Sequence, residues 1–256
     1  LFHCKKCNKN YDGEFCEKHG KLSPFSNREI DINYYYLTAQ KKLKLKEMPS
    51  LIKGVRGTSN REHISENLVK GILRSIHNLN VNKDGTIRYD MTELAITHFK
   101  PKEIGTSVEK LKELGYKLDI YGEYLDNEDQ ILEIKPQDII LPACEESSDE
   151  GADIILFRTA NFIDDLLEYL YGLGRYYSLK SKGDLIGHLV IGLAPHTSAG
   201  TVGRIIGFSK TQGCYAHPVW HCAQRRDCDG DENCVMLLLD GFLNFSRNEL
   251  MLKSIN

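Results

Sequence analysis

Residues 217–239 read HPVWHCAQRRDCDGDENCVMLLL. Three carboxylates stand at alternate positions in its centre, Asp227, Asp229 and Asp231, with Gly230 between the last two. Arg225 and Arg226 precede them and an apolar run follows. Alternate side chains of an extended chain point to one side, and glycine accepts a positive φ that bends the backbone between two acids. Together these features can aim two or three carboxylates at one point. Acids crowded in that way repel each other unless a hard cation lies between them, and Mg2+ prefers such oxygen ligands. The stretch therefore predicts a metal-dependent phosphoryl-transfer site. In it two Mg2+ ions about 3.5–4 Å apart are held by the carboxylates, while Arg225 and Arg226 grip phosphate oxygens bidentately. His221 in the same stretch, and His196 in the upstream turn APHTSAG, are further candidates for contact with substrate.

Two rivals are weighed against this reading. An EF-hand needs Gly at loop position 6 and Glu at position 12. Counted from Asp227, the glycine Gly230 falls at position 4 and Leu238 occupies position 12, so that pattern fails. A zinc site built from Cys214, His217, His221 and Cys222 lacks standard knuckle spacing. Downstream, Val235 to Phe245 reads as an apolar helix backing the loop.

At the other end of the chain, Cys4-x2-Cys7 is followed by Cys16-x2-His19. Paired ligands on two short turns are a tetrahedral Zn2+ signature. The metal supplies the core that so short a segment cannot build. All four positions are filled, which points to a structural ion. Cysteine usage of this kind suits a reduced, cytoplasmic setting better than a disulfide scaffold. No apolar run approaches about 18 residues, so no membrane span or membrane partner is expected. Net charge is −3, which announces no global basic field, but positive charge clusters locally at Lys41, Lys42, Lys44 and Lys46 and at Arg225–Arg226. The first residue is Leu rather than Met, and an internal piece of a longer protein is expected.

Between these ends the texture is α+β. Leu68, Ile72, Leu73 and Ile76 make a helical stripe. LIKGVRGTSN at 51–60 lacks the Gly-Lys-Ser/Thr ending of a P-loop and reads as a turn. Lys83-Asp84-Gly85 marks a hairpin turn, and Thr106-x-x-Glu109 a capping box. Pro136 in the middle of ILEIKPQDIILP at 131–142 makes this stretch two strands or a kinked edge strand. Ile154 to Phe157 reads as a strand, and Asn161 then caps a helix with Asp164 and Asp165 in its first turn. Residues 184–209 are short apolar runs broken by Gly, Pro and Ser, as in a small barrel. The expected organisation is a zinc-binding module at 1–22, a connector with helices at 23–78, and a barrel region with helical insertions and the Asp-Gly-Asp loop at 79–256.

YAHPVWHCAQRRDCDGDENCVMLLLDGFLNFSR resembles the catalytic motif of the large, catalytic subunit of archaeal family D DNA polymerase. KGILRSIHNLNVNKDGTIRYD and THFKPKEIGTSVEKLKELGYKLDIYG extend that resemblance upstream, over nearly the whole chain. It implies a double-psi β-barrel, the fold shared with multisubunit RNA polymerases. It also implies a DNA-directed DNA polymerase that transfers dNTP to a primer 3′-hydroxyl with two Mg2+ ions. Asp229 and Asp231 would be the metal-binding pair, and Cys4, Cys7, Cys16 and His19 a zinc-binding insertion. Implied partners are primer-template DNA, dNTP, a small proofreading subunit, and the rest of the large subunit with its second barrel. Asp227 departs from the family, which usually has Asn there, and the resulting Asp-x-Asp-Gly-Asp has the spacing of RNA polymerase loops. That makes Asp227 a candidate third ligand. With one barrel of two, the fragment is expected to bind metal weakly and polymerise poorly alone. The competing expectations are an RNA-polymerase-like barrel enzyme, or a zinc-containing scaffold that binds DNA or a partner subunit without activity of its own.

Overall fold

The computed structural model describes residues 2–22, 29–55, 66–197, 199–227 and 229–245. The chain forms two compact units, Leu1–Ala39 and Gln40–Asn256. The first holds two short hairpins, Phe2–Cys4 with Lys9–Tyr11 and Phe15–Cys16 with Gly20–Lys21. Its buried centre is Cys4, Cys16 and Leu22, with Phe2, Cys7 and Tyr11 packed on them. Helix α1, Ile32–Lys42, follows.

The second unit is built on a closed six-stranded barrel. Its strands are β1 (Tyr89–Ala95), β2 (Asp138–Pro142), β3 (Leu189–Leu193), β4 (Thr201–Ser209), β5 (Gly213–Ala216) and β6 (Glu232–Leu237). Around the barrel the order is β4-β2-β5-β1-β6-β3, closing on β4. The pairs β4/β2 and β5/β1 are parallel, and the other four are antiparallel. This ladder maps onto itself when β1, β2 and β3 are exchanged with β4, β5 and β6. The barrel is thus two interlocked three-stranded halves, and closure leaves no edge to pair with another chain. Ile139, Leu141, Val190, Ile205, Val235 and Leu237 are fully buried. Trp220 packs so closely on β3 that a Cβ at Gly192 would lie 2.5 Å from its indole ring, which is why that strand position has no side chain.

Residues 96–137, inserted between β1 and β2, carry a small core of their own around Phe99, Ile104, Leu111, Leu125 and Leu132, continuous with Ile140 and Ile206 of the barrel. The Tyr116 hydroxyl donates to Asp138 Oδ2 at 2.6 Å, and Arg204 grips the same carboxylate with two bonds of 2.8 Å.

Helix α2, Leu68–Ile76, occupies the expected stripe and is capped by Asn67, whose side chain accepts from Val69 N at 3.0 Å. Its buried Arg74 forks onto Glu66 with two bonds of 2.7 Å. Residues 56–60 of the stretch 51–60 lie outside the described residues. Helix α3, Val108–Glu113, is capped by Ser107 and not by Thr106. Thr106 instead donates its hydroxyl to Ile206 O at 2.7 Å. Helix α4, Ala152–Asp165, runs straight into a π-helical turn, Leu166–Tyr171. Ile154 to Phe157 is therefore helix and not strand, and Asp164 sits at the helix end, accepting from Tyr176, Tyr177 and Ser178 N at 2.7–2.9 Å. A short apolar run does not separate strand from buried helix by its periodicity. The same ambiguity explains Val235 to Phe245, which is strand β6 and then helix α6, Leu238–Phe245. Between β5 and β6 lies helix α5, Pro218–Ala223, with proline at its first position and His217 as its cap. Among the described residues no helix is long and apolar enough to cross a membrane.

Candidate metal centre and carboxylate loop

In the first unit each hairpin ends its first strand on one ligand and carries the second in the turn. Cys4 and Cys16 close strands; Cys7 and His19 follow three residues later. The next residues, Asn8 and Gly20, take the positive φ (53° and 83°) that turns the chain back. Cys4 Sγ lies 3.4 Å from His19 Nδ1, Cys16 Sγ 3.7 Å from it, and Cys7 Sγ 4.0 Å from Cys16 Sγ. All four donor atoms fall within 4.8 Å of one another. Zinc–sulfur bonds of about 2.3 Å and zinc–nitrogen bonds of about 2.0–2.1 Å give a tetrahedron with edges of roughly 3.5–3.8 Å. The set therefore fits a zinc ion. The Tyr11 hydroxyl, 3.5 Å from Cys16 Sγ, holds that thiol down at about 6, and contacts with Cys7 and Cys16 push His19 up.

The carboxylate loop spans the gap from α5 to β6. Gly230 has φ 103°, the bend expected between Asp229 and Asp231. Asp227 and Asp229 are exposed and Asp231 is half-buried. The loop's descent into the barrel is fixed by Glu93 N, which donates to Asp231 O at 3.0 Å. Arg226 spans two neighbours: Nη1 lies 3.4 Å from Asp231 Oδ2 and Nη2 donates to Pro195 O at 2.9 Å. The turn carrying His196 is thereby tied to the loop, with His196 itself exposed at φ 59°. Arg225 is exposed with φ 61°. Among the described residues, the cluster of Cys4, Cys7, Cys16 and His19 is the only group of three or more His, Cys, Asp or Glu whose donor atoms converge. The three carboxylates do not, and neither do Cys214, His217 and Cys222. Cys214 is fully buried, which pushes its thiol up, and His217 Nδ1 accepts from Val219 N.

His221 does not face the loop's outer surface. It is fully buried, with Nδ1 2.9 Å from Glu93 Oε2 and Nε2 3.1 Å from Leu94 O. Its partner Glu93 is one of three further buried polar residues here, with Gln224 and Asn233, none of them singled out from the sequence. The signal for Glu93 was available: it shares the inward register of β1 with Met91, where a charge is out of place.

Residues 44–254 match the family described as DNA polymerase II large subunit DP2, catalytic domain. The chain belongs to this family. It is 53% identical over 251 residues to the DNA polymerase II large subunit of Archaeoglobus fulgidus, covering 98% of this chain and 21% of the relative. To the DNA polymerase II large subunit of Nanoarchaeum equitans it is 53% identical over 236 residues, 88% of this chain and 19% of that one. To that of Pyrococcus furiosus it is 51% identical over 255 residues, 96% and 20%. The chain thus spans about a fifth of the length of the curated relatives it matches. The family is the one that the motif around Asp229 and Asp231 resembled.

Proposed function

We propose that this chain is catalytic-core sequence of a DNA-directed DNA polymerase, extending a primer 3′-hydroxyl with dNTP. The observation that carries the reading is the Asp229-Gly230-Asp231 loop, bent at Gly230 and mounted between α5 and β6 of a closed barrel, in a chain of this family. The exchange symmetry of the barrel ladder supports a double-psi topology.

Asp229 and Asp231 would hold the divalent ions, with Asp227 as a third candidate ligand. The donor set fits: hard oxygens, open to solvent, whose one cationic neighbour among the described residues is Arg226 at a loose 3.4 Å. Two bound Mg2+ ions would lower the pKa of the primer hydroxyl and neutralise the leaving pyrophosphate. Arg225, with its side chain free in solvent, would grip a phosphate. Arg226 would keep Asp231 and the His196 turn together until substrate arrives, and His196 would stand at the rim of the site. The zinc ion at Cys4, Cys7, Cys16 and His19 is read as structural. The uncollected carboxylates fit a site completed by the rest of the large subunit, including a second barrel. The remaining partners in this reading are primer-template DNA and a small proofreading subunit.

The test uses the complete large subunit with its companion. Asp229→Ala and Asp231→Ala should each lower primer extension by at least about 10³-fold, ~4 kcal/mol of transition-state stabilisation, with primer-template affinity kept. Extension at the parental rate by either variant would remove the catalytic assignment. Incorporation of ribonucleotides in preference to deoxyribonucleotides would favour the RNA-polymerase-like alternative.

A further inference from the structure

Four buried polar side chains lie beneath the carboxylate loop with no part in the chemistry proposed above. Glu93 and His221 are 0% exposed, Gln224 and Asn233 2%. Asn233 is the hub. Its Nδ2 donates to Glu93 Oε2 at 3.0 Å and to Gln224 Oε1 at 2.9 Å, and its Oδ1 accepts from Cys234 N at 2.8 Å. His221 meets Glu93 Oε2 on one side and Leu94 O on the other.

The placement of these contacts is specific. Gln224 ends α5, where the loop begins, and Asn233 lies on β6 two residues after Asp231. Their side-chain bond closes the mouth of the loop. Glu93, on β1, touches Asn233 at one end through its carboxylate, His221 of α5 at the other, and Asp231 O through its backbone N–H. Both ends of the loop and its last acid are therefore referred to one residue of one strand.

Such a cluster is not the cheapest way to hold three elements together. A buried carboxylate loses its hydration, and Glu93 Oε1 finds no hydrogen-bond partner among the described residues. An unsatisfied buried acceptor costs about 1–3 kcal/mol, and well-packed apolar side chains often hold a buried site at least as stably. What directional bonds add is a single orientation of the backbone they grip.

We propose that Glu93, His221, Gln224 and Asn233 form a positioning cluster that sets the Asp229–Asp231 loop in its cation-binding orientation. They are positioning residues: none touches the reacting groups. The inference rests on the reading of Asp229 and Asp231 as metal ligands, and the experiment separates the two.

The complete large subunit with its companion is titrated with Mn2+, followed by the electron paramagnetic resonance signal of the free ion. Asp229→Ala with Asp231→Ala should abolish one class of Mn2+ site. Glu93→Gln and the milder Gln224→Ala should weaken that same class by about 10- to 100-fold, the range seen when groups behind metal ligands are removed. The Mn2+ concentration for half-maximal extension should rise by the same factor, with cooperative unfolding and primer-template affinity retained. Parental Mn2+ affinity in a folded Glu93→Gln or Gln224→Ala protein, where the aspartate double variant has lost the site, overturns the positioning cluster alone. Loss of fold in Gln224→Ala also overturns it, by showing that the cluster holds the barrel and not the loop. Parental Mn2+ binding in the aspartate double variant overturns the ligand reading, and this inference with it.

Discussion

The two candidate metal regions differ in how far this chain has assembled them. Around Cys4, Cys7, Cys16 and His19 the donor atoms already stand at tetrahedral spacing. Around Asp227, Asp229 and Asp231 the backbone is bent but the carboxylates have not converged. Charge explains the difference. Contacts among the first set push Cys16 down and His19 up, and thiols and an imidazole, which are neutral when protonated or free of a proton respectively, can stand together without every member carrying the same charge. The second set carries one sign only, and two such charges 4 Å apart near a protein surface repel by about 4 kcal/mol. The first set therefore already stands at the spacing an ion needs, whereas the second would have to be drawn together by cations.

The largest expected effect breaks the first region. Cys16→Ser removes a buried ligand at the end of a two-residue strand. Elemental analysis should show the zinc of residues 2–22 lost. With it goes an apparent binding energy of roughly 10–16 kcal/mol that doubles as folding energy. Trypsin should then cut at Lys5, Lys6 and Lys9, while the Mg2+ requirement for extension stays as in the parent. A changed Mg2+ requirement would mean that the two regions are not independent.

A smaller effect contrasts open carboxylates with a held one. Asp240, in the first turn of α6, is fully buried. It accepts from Ile87 N at 2.8 Å and from Asn244 Nδ2 at 3.0 Å. Burial raises it from 3.8 to about 6. The folded state then holds a proton that the unfolded chain has already lost between these values. Stability should fall as pH rises from about 4 to 6, by up to about 3 kcal/mol, and level off above. Asp240→Asn imitates the protonated form, so denaturant unfolding across pH 4–7 should show this component flattened. An unchanged slope would show that Asp240 is ionised in both states.

Much of this was legible in the residues. The convergence of Cys4, Cys7, Cys16 and His19 announces itself because two short spacings suffice to place four donors. The division of 131–142 at Pro136 and the barrel character of 184–209 were readable from proline, glycine and short apolar runs. The strand β6 was hidden because CVMLLL at 234–239 is apolar on every face, so its periodicity does not separate strand from helix. Helix α4 was hidden because its first turn follows an acidic segment that reads as loop. The cluster under the carboxylate loop was hidden for a different reason: Glu93, Gln224 and Asn233 come from three elements, and only closure of the barrel brings them together.

The smallest expected effect concerns Asp227, the first of the three alternating acids. It is exposed, two positions before Asp229 in the sequence, and the glycine bend that joins Asp229 to Asp231 does not include it. Asp227→Asn keeps an oxygen donor in place and removes only a charge. The Mg2+ concentration for half-maximal extension should then rise by up to about tenfold, ~1.4 kcal/mol, with the rate at saturating Mg2+ unchanged. The shift should shrink as salt is raised, since an exposed charge acts through a field that is screened within about 8–10 Å. A fall in the saturated rate as large as that of Asp229→Ala would make Asp227 an equal ligand. The two regions would then be more alike than their charges suggest, because a third carboxylate would have to be gathered around the ions as closely as Cys4, Cys7, Cys16 and His19 stand to one another.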